Sequence, residues 1–229
     1  MAEYDEWFRP EIRAWPRSRA LDAAVNELCD TAFALLSDGL RIIRAFENVE
    51  EWELVATMAL AQSGNAARVA WHAMYVGYYV EALAMGRLIR DYSVLATHVR
   101  KNPQEAAKWL TYADSPPARA GELWRQHLSR ALEVEARAHR FSTLLNRFAH
   151  LDMLGLAMSQ IALPNGGFLL RAGPTIEPHS FELTSGFLVQ LTALPVDELG
   201  RLVLSRDGPR GYLSGVATYV ERAERWLTQ

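Results

Sequence analysis

The sequence predicts an all-α fold: a multi-helix bundle of seven or eight helices with one irregular loop near residues 163–178. Three observations predict it. Apolar residues recur at spacings of three and four along most of the chain, the period of an amphipathic helix, and no segment alternates convincingly with period two. Turn formers gather at a few places, chiefly Asn102-Pro103, Asp114-Ser115-Pro116-Pro117, Asn165-Gly166-Gly167, Gly173-Pro174 and Asp207-Gly208-Pro209. Half of the 229 residues are hydrophobic, enough to fill a substantial core.

The expected organisation is a single all-α domain over 1–229. Residues 1–16, with Trp7, Phe8, Pro10 and Trp15, read as an arm packed by its aromatics. Residues 17–162 are the main bundle. Pro16 and Ser18 mark the start of a helix whose stripe is Val25, Leu28, Ala32, Leu35, Leu36, Ile42, Ile43 and Phe46. A second helix starts near Glu50, where Glu50, Glu51 and Glu53 suit the positive helix end. Ser63-Gly64-Asn65 is its expected break, followed by a long central helix from about Ala66 to Arg100. Asn102-Pro103-Gln104-Glu105 reads as a capping box with proline at the first helical position, opening a short helix to about Tyr112.

After the prolines at 116 and 117, a long helix is expected from Ala118 to about Ala149, with Leu128, Leu132, Phe141, Leu145 and Phe148 inside. The loop at 163–178 follows, anchored by Phe168, Leu169 and Leu170 with room for a short extended piece. Residues 179–229 are the last helices: one capped by Ser180 and running to Leu194, one opened by Pro195, and one from Tyr212 to Leu227. They are too few to bury a core alone, so they are expected to pack back on the bundle.

Composition excludes some classes. Charged residues are 22% of the chain and the net charge is −3, which lacks the footprint of a general nucleic-acid binder. One cysteine, Cys29, forbids an internal disulfide and suits a reducing cytoplasm. The N-terminus has no basic-then-apolar signal, and the apolar zone Ala66–Ile89 is interrupted by Arg68, His72, Glu81 and Arg87. A cytoplasmic protein without membrane attachment is expected.

Three groups of residues are candidates for chemistry. Arg87 and Asp91 lie one helical turn apart on a mostly apolar helix, with His98 on roughly the same face. Such a pair either orients a ligand or bridges two helices as a strut, and the strut is the simpler reading. Tyr75, Tyr78, Tyr79 and Tyr92, with Trp71 and Met74, form an aromatic side that either packs the core or lines a pocket. His139, Thr143, Asn146 and His150 form a polar stripe opposite Phe141, Leu145 and Phe148, the pattern of a solvated face. No phosphate loop, dinucleotide fingerprint, nucleophile elbow, Cys-x-x-Cys pair or Glu-x-x-His metal motif occurs, so neither cofactor nor metal is expected.

Arg87-x-x-x-Asp91, then Asn102-Pro103-Gln104-Glu105-Ala106-Ala107-Lys108-Trp109, then Phe141 to His150, is similar to a broad group of bacterial helical proteins. Asp91 stands where that group usually has Glu. The group is distantly HEPN-like, and this resemblance implies a helical bundle able to form a homodimer. HEPN nucleases place four to six residues between an arginine and a histidine. Here Arg147 and His150 are separated by two residues, and Arg140 and His150 by nine.

The leading expectation is a binding or interaction protein, in a stress or defence setting, without a complete catalytic constellation. One alternative is a HEPN-like ribonuclease or toxin using Arg147 and His150 with Asn146. Another is a small-molecule sensor with a pocket between helices, built from Arg87, Asp91, Tyr75 and Tyr79.

Overall fold

A computed structural model describes residues 14–111, 145, 160–162, 168–170 and 176–226. The protein is an all-α multi-helix bundle. We number its helices α1 (14–19), α2 (Ala23–Arg44), α3 (Glu51–Tyr75), α4 (Tyr79–Lys101), α5 (Ala106–Leu110), α6 (Pro178–Leu204) and α7 (Arg210–Trp226). A two-stranded antiparallel hairpin, β1 (Gln160–Ala162) and β2 (Phe168–Leu170), pairs Ile161 with Leu169 across its middle. The extended piece expected at 168–170 is thus one arm of a hairpin whose other arm precedes the predicted loop. The arm at 1–13, the helix predicted over 118–149 apart from Leu145, and the remainder of the 163–175 stretch lie outside the described residues.

The first predicted helix is two. α1 ends at a turn, and Asp22 restarts the helix by accepting the Ala24 and Val25 amides on Oδ1 at 2.8 and 3.1 Å. From there the predicted stripe holds: Val25, Leu28, Ala32, Leu36 and Ile43 are buried. α3 opens with a capping box in which the Glu50 amide donates to Glu53 Oε2 at 2.8 Å.

The break expected at Ser63-Gly64-Asn65 is absent, and α3 runs through it. Ser63 is instead a contact point: its hydroxyl donates to the Ile89 carbonyl at 2.9 Å and lies 3.0 Å from Ser93 Oγ. Small residues, Ala56, Ala59, Ala66, Ala67 and Ala70 on α3 and Ala82, Gly86 and Ala96 on α4, are buried alongside, and α3 packs along α4 more extensively than any other helix pair. The real break comes at Gly77, whose φ of 90° is left-handed. The Tyr78 amide reaches back to Ala73 O at 2.8 Å and the Gly77 amide to Met74 O at 3.0 Å, the two bonds of a Schellman ending.

Two further expectations are corrected. Asn102 does not cap the next helix. Its side-chain amide donates backward to His98 O at 3.0 Å, and Pro103–Glu105 form a single 3₁₀ turn with no side-chain cap bond. Glu105 is drawn to Lys108 rather than to the Asn102 amide. Pro195 does not open a helix either. α6 is continuous through it, capped by Glu177 rather than Ser180, with Glu177 accepting the His179 and Ser180 amides at 3.0 and 2.5 Å. Proline removes the bond to the Leu191 carbonyl and crowds that carbonyl with its ring, but Leu188, Leu191, Val196, Leu199 and Val203 hold the helix in the core on both sides.

α6 is the central element among the described residues, in contact with α2, α3, α4 and α7, and α7 also touches α2. Trp71 Nε1 on α3 donates to Thr192 Oγ1 at 3.0 Å, both fully buried. A side chain at Gly86 would come within 2.7 Å of Leu191 Cδ1 and 3.1 Å of Leu145 Cδ2. The Leu145 side chain, fully buried, therefore packs between α4 and α6. No helix among the described residues is long and apolar enough to cross a membrane.

Candidate functional site

Arg87 and Asp91 do meet, with Arg87 Nε 3.5 Å from Asp91 Oδ2. The stronger partner of Asp91 is Arg90, which the sequence reading passed over. Arg90 is 1% exposed and donates from Nε and Nη2 to Asp91 Oδ1 at 2.8 and 2.5 Å. Buried arginine and buried aspartate form an ion pair within α4, where each charge is tolerated in the interior only because the other neutralises it. Arg90 Nη1 has no hydrogen-bond partner among the described residues.

The tyrosines belong elsewhere. Tyr75 is 1% exposed at the far end of α3; its hydroxyl donates to Asn26 Oδ1 at 2.8 Å, and Trp15, Trp71 and Phe181 surround its ring. Arg19 sits over the same ring at 5.5 Å. The cluster also encloses Cys29, whose thiol is pushed up to about 12 by burial. Tyr79 is buried at the start of α4 and accepts the Glu177 amide at 3.2 Å. Eight residues separate Tyr79 from Arg87, about 12 Å along the helix. Asn146, Arg147 and His150, with His139 and Thr143, lie outside the described residues. Among the described residues no group of three or more His, Cys, Asp and Glu side chains is arranged to hold a metal.

Two other buried carboxylates, unlike Asp91, join separate elements. Glu198 on α6, 5% exposed, accepts Arg100 Nε at 2.5 Å and Nη2 at 3.2 Å from α4. Burial pushes its carboxyl above the ordinary value, against the pull of Arg100. Glu53 on α3 accepts Arg206 Nε at 2.5 Å, and Arg206 Nη2 also donates to the Asn48 carbonyl at 3.0 Å. The Arg206 guanidinium holds the Glu53 carboxyl below the usual carboxylate range. That bridge fastens the end of α6 to the turn between α2 and α3.

Among the described residues, an open place lies between α2 and α3. These helices are sequence neighbours, yet α2 makes its long contact with α6 and α3 with α4. The space between them is a cleft of about 450 Å³. Leu36, Leu40, Ala61 and Gly64 give it apolar walls, Ser37 and Asn65 supply hydrogen-bonding groups, and Arg41, Arg44 and Arg68 supply charge. No acidic residue is among the lining. Gly64 keeps the floor low: a side chain there would meet only Leu36 Cδ1, at 3.8 Å. Arg41 pairs with Asp38. Arg68 lies 5.9 Å over the Phe33 ring. Arg44 makes no ion pair among the described residues. From sequence, Arg41 and Arg44 look like ordinary basic residues of a last helical turn, and nothing in the spacing places Arg68 opposite them.

Compared with known proteins, the chain matches no family model, no curated protein and no solved structure.

Proposed function

We propose that this protein works by binding, and that it holds a small anionic ligand in the cleft between α2 and α3. The cleft carries the reading: it joins three arginines and two neutral polar side chains to apolar walls, with no carboxylate among the lining residues. A pocket with an apolar body and a few convergent polar groups is the general form of a small-ligand site. Arginine is the side chain best suited to carboxylate and phosphate, through its planar fork of donors. The other buried charges support the same division of labour, because Arg90–Asp91, Arg100–Glu198 and Arg206–Glu53 are each committed to one another.

The test is a thermal-unfolding panel of inorganic phosphate, organic carboxylates, amines and neutral polyols. A ligand that binds only the folded state raises the unfolding temperature. Anions raise it, less so at high salt; amines and polyols leave it unchanged; and the paired substitution Arg44→Gln with Arg68→Gln removes the response. No shift with any anion, or an equal shift in the paired variant, ends this reading.

A further inference from the structure

The arrangement of charge along the cleft specifies more than its sign. Resting on the binding role just stated, we infer that the ligand is an elongated dianion, with negative groups at its two ends and an apolar middle.

The register of the two helices gives the layout. Leu36 faces Gly64, and one turn away Phe33 lies under Arg68. α2 and α3 therefore run in opposite directions past each other, with Arg68 beyond the Leu36–Gly64 level on one side and Arg41 and Arg44 on the other. At 1.5 Å per residue, Arg68 stands about 6 Å from that level along its helix. Arg44 stands about 12 Å from it in the opposite sense. The apolar walls, Leu36, Leu40, Ala61 and Gly64, occupy the interval.

Charge balance completes the picture. Arg41 is already neutralised by Asp38. Among the described residues Arg68 has an aromatic face beneath it but no carboxylate partner, and Arg44 has no ion pair. Among the described residues, the cleft thus keeps two uncommitted positive charges, one toward each end. A compact monoanion neutralises one and leaves the other. A long chain with an acid group at each end meets both and lays its methylenes on the apolar walls. An α,ω-dicarboxylate or a bisphosphate with a hydrocarbon middle has this form.

The test is calorimetric titration of the full chain with succinate, suberate, sebacate and dodecanedioate, each beside the monocarboxylate of equal length. Affinity rises with length, up to about three- to fourfold for each methylene that enters the apolar part. In the wild type the matching diacid binds about tenfold more tightly than the monoacid, the worth of one added charge-assisted contact. In Arg68→Gln or Arg44→Gln that advantage disappears while monoacid binding persists at the remaining arginine. Ala61→Leu, on the half-buried wall, removes the dependence on chain length; Gly64→Leu does the same from the floor. Monoacids binding as tightly as diacids, or a diacid advantage that survives loss of either arginine, overturns the inference. If long diacids fail but phosphate or succinate still binds through Arg44 and Arg68, the inference falls and the anion-binding role stands. If no anion binds, both fall.

Discussion

Replacing Arg100 by methionine strands the Glu198 carboxylate in the core, and the consequence can be worked from the structure. Glu198 is 5% exposed, and it accepts two hydrogen bonds from Arg100. Removing one partner of a buried pair costs about 3–5 kcal/mol, because the remaining charge has no water to return to. Arg100 keeps 22% side-chain exposure, which lets some solvent in and puts the expected loss near the lower end, about 3 kcal/mol. With a urea slope of about 2 kcal/mol/M, that moves the unfolding midpoint by roughly 1.5 M.

The loss depends on pH. Burial already raises the Glu198 carboxyl above its ordinary 4.5, and removing Arg100 raises it further. A carboxyl raised in the folded state binds more protons there than in the unfolded chain. Stability is then greatest at low pH and falls as pH rises through the folded value. The variant's deficit is accordingly largest at neutral pH and narrows on acidification. Urea unfolding followed by far-ultraviolet dichroism at pH 7 and pH 5 measures both effects. Changing Glu198 to leucine in the same chain recovers most of the loss, since a packed apolar pair is tolerated where a lone charge is not. A loss under about 1 kcal/mol, no pH dependence, or a double variant no better than the single one would refute the reasoning.

Three other outcomes follow from the same geometry. Arg206 depresses the Glu53 carboxyl, so that pair contributes stability above the ordinary carboxylate range and loses it as pH falls through the depressed value; Arg206→Gln lowers the urea midpoint at pH 7, and its gap from the wild type narrows on acidification. Cys29, 4% exposed and shifted upward, stays unreactive toward a thiol-specific disulfide reagent at pH 8 in the native protein and reacts promptly in urea. Thr192→Val leaves the buried Trp71 indole N–H without its acceptor and costs about 1–3 kcal/mol in the same unfolding assay.

The sequence carried the helices better than their boundaries. Amphipathic stripes such as Val25, Leu28, Ala32 and Leu36 on α2 are buried as read, because a 3.6-residue period is a local property. Breaks are decided by contacts the period does not contain. Ser63-Gly64 resembles a stop, but Ser63 is bonded to α4 and the helix continues. Gly77 stops the helix inside an apolar zone that looks continuous, since only its left-handed backbone permits the reversal. Pro195 resembles a start, but core contacts on both sides carry α6 through it.

The candidate site was less legible. The Arg87–Asp91 pair was found by its spacing, but Arg90, one position away, was invisible to an i,i+4 search and proved the closer partner. The cleft arises because α2 turns toward α6 and α3 toward α4, a tertiary choice with no local signature. Its arginines read as a helix-end pair and a solvated charge until the two helices are placed side by side.

Nitrogen-15 resonances of the arginine side chains, followed during titration with sebacate, report directly on where an anion settles. Arg44 and Arg68 are predicted to shift together and saturate together, while Arg87 and Arg90 stay in place. Movement of Arg87 and Arg90 with Arg44 and Arg68 unchanged would contradict the assignment of the cleft and put the ligand on α4.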